Sequence, residues 1–227
     1  MKKALVAIAV VAFALIGAQA ASAAGPNICV AANGEQRVKK GTTECEANGT
    51  GSVAIARGDN SEAIASGGDR NRATASGDDS FAAARDGDNN TATASGYDSY
   101  AFAGNGDNNT ANASGDGSDA GAGGGDSNTA NASGDDSIAA ANDGDNNTAT
   151  TSGDGSFAQA AYGDNNTATA SGDDSNALAA FGDNNTATTS GDGSDAVATN
   201  GDNNTATATT DGCTAIASFG SDLTASC

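Results

Sequence analysis

Residues 163–175 read GDNNTATASGDDS, and this segment recurs with small changes along most of the 227-residue chain. The glycine that opens it returns every 19 residues, and a second glycine divides each repeat into parts of 9 and 10 residues. The first set of glycines comprises Gly68, Gly87, Gly106, Gly125, Gly144, Gly163, Gly182 and Gly201. A fixed period of this length indicates a repeat architecture.

Each half-repeat follows the pattern G-x-x-[N/S]-x-A-x-A, in which alanine alternates with other positions. This period of two is typical of β-strands, so we expect the alanines to point inward and their neighbours outward. The Gly-Asp-Asn and Gly-Asp-Asp segments predict turns, because Gly allows positive φ and Asp or Asn bonds to nearby backbone. The Asn and Ser columns beside these turns are expected to form ladders that join one coil to the next.

The sequence therefore predicts an all-β fold. We expect a parallel β-solenoid of about nine 19-residue coils, with two short strands per coil and a thin core lined by alanine. Coils stacked about 4.8 Å apart would give a rod roughly 40 Å long. The scarcity of large apolar residues and the high net charge are also typical of disordered chains. A disordered chain, however, would not keep alanine in phase through every repeat, which favours the solenoid.

The four cysteines lie at the two ends of the repeats, before them and after them. An even count in an exported chain predicts disulfides, and the spacing favours Cys29–Cys45 and Cys213–Cys227. A zinc site is disfavoured because the sequence has no histidine and no CxxC motif. We expect an N-terminal cap with a disulfide at 24–48, the solenoid at 49–219 and a C-terminal cap at 220–227, so that disulfides staple both ends of the rod.

The first 23 residues have the pattern of a signal peptide. Lys2 and Lys3 precede a short apolar run, residues 4–16, and A-x-A patterns that end at Ala20 and Ala23 follow. This pattern predicts cleavage near Ala20 or Ala23 and a mature chain that is secreted, extracellular or at the cell surface. The rest of the sequence has no second long apolar run, so we expect no membrane partner for the mature form.

The chain is strongly acidic, with 29 Asp and Glu residues against 9 Lys and Arg residues and a formal net charge of -20. No Lys or Arg follows Arg85. Such a chain offers no basic patch to neutralise phosphates, so a nucleic acid partner is not expected. Serine and aspartate occur in repeated columns without a histidine that could activate a hydroxyl, so we expect no enzyme activity and no catalytic residues.

Threonine fills the outward positions of the first strand in most repeats. The predicted surface-binding residues are Thr91, Thr93, Thr148, Thr150, Thr167, Thr169, Thr186, Thr188, Thr205 and Thr207. Threonines on one strand would lie about 6.7 Å apart, and those on adjacent coils about 4.8 Å apart. Threonine also has a high β-propensity, so a soluble outward ladder without a ligand is the alternative interpretation.

Parts of the chain resemble the repeats of several bacterial or secreted protein families. The stretch SVAIARGDNSEAIASG at 52–67 resembles the heads of trimeric autotransporter adhesins, and the G-x-x-N-x-A pattern is similar to curlin repeats. The Thr-x-Thr columns resemble the flat face of ice-binding β-solenoids. These resemblances imply, respectively, adhesion to surfaces, extracellular self-assembly and ice binding.

A column of turn aspartates provides a candidate cation site. Asp88, Asp145, Asp164 and Asp183 share this column, and stacked carboxylates about 4.8 Å apart would repel one another unless a cation lay between coils. The DGDNN segments are also similar to the calcium-binding repeats of toxin-like secreted proteins. The alternative is that these residues only form turns in water, so no cofactor is required and calcium is left open.

A non-enzymatic structural or adhesive component of the extracellular surface is the function that these patterns favour. Ice binding through the threonine columns is one alternative, and a calcium-dependent or curlin-like self-assembling protein is another. The expected partner is an unidentified surface, a polymer, a second copy of the chain, or ice. Aromatic residues on or beside the second strand mark a further candidate partner surface. They are Phe81, Tyr100, Phe102, Phe157, Tyr162 and Phe181.

Overall fold

The computed structural model describes residues 27–227, so the predicted signal peptide and its cleavage positions lie outside the described residues. The described chain forms two sheets of 12 and 10 strands. Each sheet contains ten strands that stack in parallel, one from every coil, which confirms the parallel β-solenoid. There are thus about ten coils rather than about nine, because short strands at both ends complete an additional coil.

The 12-stranded sheet, called the threonine sheet after its outward side chains, holds the first strand of each coil. In spatial order its strands are β2 (Glu35–Lys40), β1 (Ile28–Ala32), β4 (Val53–Arg57), β6 (Arg72–Ala75), β8 (Thr91–Ala94), β10 (Thr110–Ala113), β12 (Thr129–Ala132), β14 (Thr148–Thr151), β16 (Thr167–Ala170), β18 (Thr186–Thr189), β20 (Thr205–Ala208) and β22 (Thr224–Ser226).

The 10-stranded sheet, called the variable sheet, holds the second strand of each coil. In spatial order its strands are β3 (Glu44–Ala47), β5 (Glu62–Ser66), β7 (Phe81–Arg85), β9 (Tyr100–Gly104), β11 (Asp119–Gly123), β13 (Ile138–Asn142), β15 (Phe157–Ala161), β17 (Asn176–Ala180), β19 (Asp195–Thr199) and β21 (Thr214–Ser218).

Alanine side chains of both sheets meet in the interior, as predicted. Most are wholly inaccessible to solvent, including Ala149 and Ala168 in the threonine sheet and Ala158 and Ala177 in the variable sheet. A methyl group adds little apolar area, so this core alone stabilises the fold weakly. Hydrogen bonds between coils must supply much of the remaining stabilisation of the fold.

The predicted asparagine ladder is confirmed. The backbone N–H of Asn166 donates to Oδ1 of Asn147 at 2.9 Å, and Nδ2 of Asn147 donates to the carbonyl of Gly163 at 2.8 Å. The same bond to the preceding Oδ1 recurs from Asn90 to Asn204 at 2.8–3.0 Å. All of these asparagine side chains are buried, so the ladder lies inside the turn and connects each coil to the next.

The predicted serine ladder is wrong. The hydroxyl of Ser156 donates to the carbonyl of Gly153, three residues earlier in its own turn, at 2.6 Å. Ser118 and Ser175 do the same within their turns. This column therefore stabilises each turn rather than joining coils.

The glycine that opens the second turn, from Gly77 to Gly191, is needed for close packing rather than for positive φ. A Cβ on Gly96 would lie 2.1 Å from the carbonyl oxygen of Gly115 in the next coil. The left-handed conformation is adopted two residues later, by a polar residue such as Asp98, with φ of 51°, or by a second glycine such as Gly117, with φ of 65°. Asp and Asn tolerate this region because their side chains bond locally.

Both predicted disulfides are present, one at each end of the rod. Cys29–Cys45 connects β1 to β3, and Cys213–Cys227 connects the residue before β21 to the residue after β22. At the N-terminal end, β1 and β2 form an antiparallel hairpin that pairs with β4. Strand β2 carries Arg37, Lys39 and Lys40 and is exposed throughout, which protects the sheet edge from pairing with other chains.

Candidate functional site: the threonine face

The ten predicted surface-binding threonines lie together on the outer side of the threonine sheet. They project from β8, β14, β16, β18 and β20, and we call this set the threonine face. Each alternates with a buried residue of the core and is itself half-buried between its neighbours. The rest of each side chain, a hydroxyl and a methyl group, is presented to the exterior.

The threonine face is built on unbroken parallel register. Thr148, Thr167, Thr186 and Thr205 are direct neighbours across β14 to β20, and the second column of threonines follows the same register. These four strands form an uninterrupted block that is two threonines wide. At the strand spacing of parallel sheets the block extends about 14 Å along the rod.

Two strands separate Thr91 and Thr93 from this block. Thr110 and Thr129 continue the first column through β10 and β12, whereas Asn112 and Asn131 occupy the second column. Nδ2 of Asn112 donates to Oδ1 of Asn131 at 2.8 Å, so the amides of adjacent coils pair with each other on the outer side of the sheet. The face is therefore continuous in its first column and interrupted in its second.

The support behind the threonine face is rigid. Every alanine between its outward threonines is fully buried, and the strands begin directly after the buried asparagine ladder. The carbonyl of Asn166 also accepts the N–H of Thr148 at 2.9 Å, so the start of each strand is fixed to the next coil. A surface held in this way loses little conformational entropy when it binds a ligand.

The sequence patterns did not identify two buried threonines that reinforce this sheet. Thr151 and Thr189 occupy the second alanine position of their strands and point into the core. Their hydroxyls donate to Oγ of Ser137 at 3.0 Å and of Ser175 at 2.9 Å. The TATT sequence of β14 and β18, in place of TATA, is the signal that marks them.

The outer side of the variable sheet differs in kind, with aromatic and aliphatic side chains on several strands. Phe81 and Tyr100 stack with ring centroids 5.1 Å apart, and the guanidinium of Arg85 lies 5.2 Å from the ring centroid of Phe102. Phe157 also lies on this sheet.

The other two candidate aromatic residues, Tyr162 and Phe181, lie in the turns that follow the variable sheet. Their rings stack 4.8 Å apart. The six aromatic residues therefore form separate groups, four on the sheet and two beside it.

The candidate calcium ligands form a hydrogen-bonded ladder of their own. Oδ1 of Asp164 accepts the backbone N–H of Asp145 at 2.8 Å, and Oδ1 of Asp183 accepts that of Asp164 at 2.9 Å. Asp88 and Asp145 accept the equivalent bonds from the preceding coils. Across residues 27–227 no group of three or more acidic or cysteine side chains is arranged to hold a metal ion. The contacts give these aspartates a role in joining turns.

One carboxyl group has a distinctly altered acidity. Partial burial, and secondarily the nearby carboxylate of Asp98, raise the pKa of Asp119 above its ordinary value of 3.8. Asp119 projects from β11 on the variable sheet, beside Tyr100 of the adjacent strand. Binding of a partner over this sheet would desolvate the same carboxyl group further.

Comparisons of the chain with family models, curated proteins and solved structures found no match. The solenoid agrees with the repeat architecture that the resemblances imply, without selecting one family. In residues 27–227 there is no helix with the length and hydropathy needed to span a membrane. Function is therefore inferred from the residues of the solenoid itself.

Proposed function

We propose that this protein is a non-catalytic binding protein whose threonine face binds the surface of ice. The observation that carries the proposal is the four-strand block of paired threonines in unbroken parallel register. A crystalline ligand repeats in two dimensions, so it is matched best by a receptor that also repeats in two dimensions. The solenoid supplies one repeat through strand spacing and the other through alternation along the strand.

The chemistry of the threonine face suits water in an ordered lattice. Each hydroxyl both donates and accepts hydrogen bonds. Each methyl group is apolar, so its exposure to liquid water is unfavourable. A single threonine contributes little to the binding free energy. The rigidly held threonines act together, because their side chains do not have to be ordered when the ligand binds. The acidic residues of the turns lie at the borders of this surface and keep the rod dissolved.

The test is a pair of double substitutions on neighbouring coils. Thr167→Tyr with Thr186→Tyr places two bulky rings in the middle of the threonine face, on β16 and β18. The matched control, Asn176→Tyr with Asp195→Tyr, places the same rings in the first outward column of β17 and β19, on the variable sheet. We expect the first variant to lose most thermal hysteresis and inhibition of ice recrystallisation, and the control to keep both.

Three results would refute this proposal. One is that the disulfide-bonded protein shows neither thermal hysteresis nor inhibition of recrystallisation. Another is that activity survives the threonine substitutions while circular dichroism shows an intact β-fold. Equal loss in the control would also remove the threonine face from the explanation, since the effect would then not depend on the sheet.

A structural or adhesive role at the extracellular surface is the second candidate. The observation that favours it is the stapled rod, whose ends are closed by Cys29–Cys45 and Cys213–Cys227. Disulfides persist in oxidising compartments outside the cytosol, which is compatible with such a location. Retention on insoluble cell-wall polysaccharide, without activity on ice, would favour this role. Absence of retention on cells and polymers would exclude it.

A further inference from the structure

Two neighbouring strands of the threonine sheet, β10 and β12, differ from the rest of the threonine face in one outward position. Both have the sequence TANA, whereas β8, β16 and β20 have TATA. Asn112 and Asn131 therefore stand in the second outward column, between Thr93 on β8 and Thr150 on β14. The two asparagines are half-buried, like the threonines of that column, and lie on the same side of the sheet.

We propose that Asn112 and Asn131 set the length of the ice-binding surface, because they confine contact with ice to the block of paired threonines on β14 to β20. This inference rests on the proposed function of the threonine face. It separates Thr91 and Thr93 from the threonines that act together in the block. In the second column the gap between Thr93 and Thr150 is about 14 Å, which is as long as the block itself.

The first reason is the length of the asparagine side chain. A threonine side chain ends at its γ atoms, whereas the amide of asparagine ends at its δ atoms, one covalent bond further from the backbone. Side chains stand roughly perpendicular to a sheet, so the amides of Asn112 and Asn131 reach beyond the neighbouring hydroxyl and methyl groups. A flat, rigid solid that rests on the threonines meets a step at these two positions.

The second reason is that the two amides hold each other in place. Nδ2 of Asn112 donates to Oδ1 of Asn131 at 2.8 Å, and turning either amide away from the ligand would break this bond. The freed polar groups would then need new partners at a contact from which liquid water is excluded. Ser133, directly after β12, likewise donates its hydroxyl to the carbonyl of Thr151 at 2.9 Å. These polar groups are therefore directed to neighbouring coils rather than to a ligand.

The first outward column does not bridge this gap by itself. Thr110 and Thr129 continue it through β10 and β12, but a single column repeats in only one dimension, along the rod. The second dimension, along the strand, is present only where both columns hold threonine, as they do from β14 to β20. Contact with a two-dimensional lattice therefore ends at β14, beside Asn131.

Replacement of the asparagines by threonine tests this boundary through a double-mutant cycle in the full, disulfide-bonded chain. Asn112→Thr with Asn131→Thr joins β8 to the block, which then extends about 29 Å along the rod instead of about 14 Å, so thermal hysteresis should rise roughly twofold. Asn131→Thr alone lengthens the block by one strand and should give a smaller gain. Asn112→Thr alone should leave hysteresis at the wild-type value, because Asn131 still separates the new threonine from the block. The expected gains are therefore not additive.

Asn176→Thr is the matched control on the variable sheet. Asn176 also donates from Nδ2 to an Oδ1 on the adjacent strand, that of Asp195 at 2.9 Å, so the same kind of bond is lost. The control should not change hysteresis, and circular dichroism should show the same β-fold in every variant.

The outcomes separate this inference from the proposed function. Additive gains from the two single variants, an equal gain from Asn176→Thr, or no gain from the double variant of an active protein would overturn the boundary and leave the proposed function standing. A wild-type protein without thermal hysteresis or inhibition of recrystallisation would overturn the proposed function and, with it, this inference.

Discussion

Removal of one rung of the asparagine ladder should destabilise the rod locally. Asn147→Ala leaves the buried N–H of Asn166 without its acceptor at 2.9 Å and the carbonyl of Gly163 without its donor at 2.8 Å. An unsatisfied buried group costs about 1–3 kcal/mol and a lost hydrogen bond about 0.5–1.5 kcal/mol. We therefore expect the local free energy of unfolding to fall by about 2–4 kcal/mol.

One coil of the chain already has serine in the asparagine column. Ser52 occupies the asparagine column one coil before Asn71, and its hydroxyl accepts the N–H of Asn71 and donates to the carbonyl of Gly68, both at 3.2 Å. Asn147→Ser should therefore restore both bonds at greater length. It should lower the free energy of unfolding by about half as much as the alanine variant does. This comparison separates hydrogen bonding from the loss of volume.

The matched control uses the exposed ladder of the same turn. Asp164→Ala removes a bond of similar length, from the N–H of Asp145 at 2.8 Å, but water can replace this acceptor. The control should cost less than about 1 kcal/mol.

Amide hydrogen exchange is the appropriate assay, because repeat proteins open locally rather than as one unit. In Asn147→Ala the exchange rate at Asn166 should rise about 30-fold or more, since 1.4 kcal/mol corresponds to tenfold. Equal rates in the alanine variants of Asn147 and Asp164 would refute the ladder's role in stability.

Three further predictions concern the ends, the turns and one carboxyl group. Cys213→Ser opens the C-terminal disulfide and should remove about 3 kcal/mol, seen as faster exchange confined to β21 and β22. Gly96→Ala should lower the melting temperature, because its Cβ would lie 2.1 Å from a carbonyl oxygen. Gly121→Ala is the control, since the space around Gly121 is open, and it should be neutral or slightly stabilising. Equal effects of the two substitutions on the melting temperature would contradict the packing explanation. The folded chain binds the Asp119 proton more tightly than the unfolded chain, so stability is lost as pH rises from 3.8 through the raised pKa. Asp119→Asn should therefore melt higher than wild type at neutral pH, with the difference disappearing below pH 3.8; a difference independent of pH would contradict the titration of this residue.

The regular spacing of alanine along the repeats was enough to predict the fold from the sequence. Strands with alternating burial follow from the alternation itself, because a buried alanine at every second position leaves the others outside. The position of Cys213 in the serine column and the terminal position of Cys227 were enough to predict their disulfide. The outward location of Thr167 and Thr169 follows from the same alternation.

Contacts between coils could not be derived from the repeat alone. Asn147 and Ser156 occupy equivalent columns in the sequence, yet Asn147 joins two coils and Ser156 bonds within its turn. Side-chain length alone does not explain this difference, since the hydroxyl of Ser52 in the asparagine column also reaches the carbonyl of Gly68 in the next coil. The geometry of the two turns decides which carbonyl lies within reach, and the repeat alone does not give it. The inward hydroxyl of Thr151 likewise depends on where Ser137 lies in the neighbouring turn.

The sequence by itself determined the parallel solenoid, its alanine core, its stapled ends and the composition of its threonine columns, because each depends on a local period. Only the tertiary structure decided that the threonine columns are in unbroken register over β14 to β20. This register arises from stacking residues that are 19 positions apart in sequence, a proximity that the hydrogen bonds between coils establish.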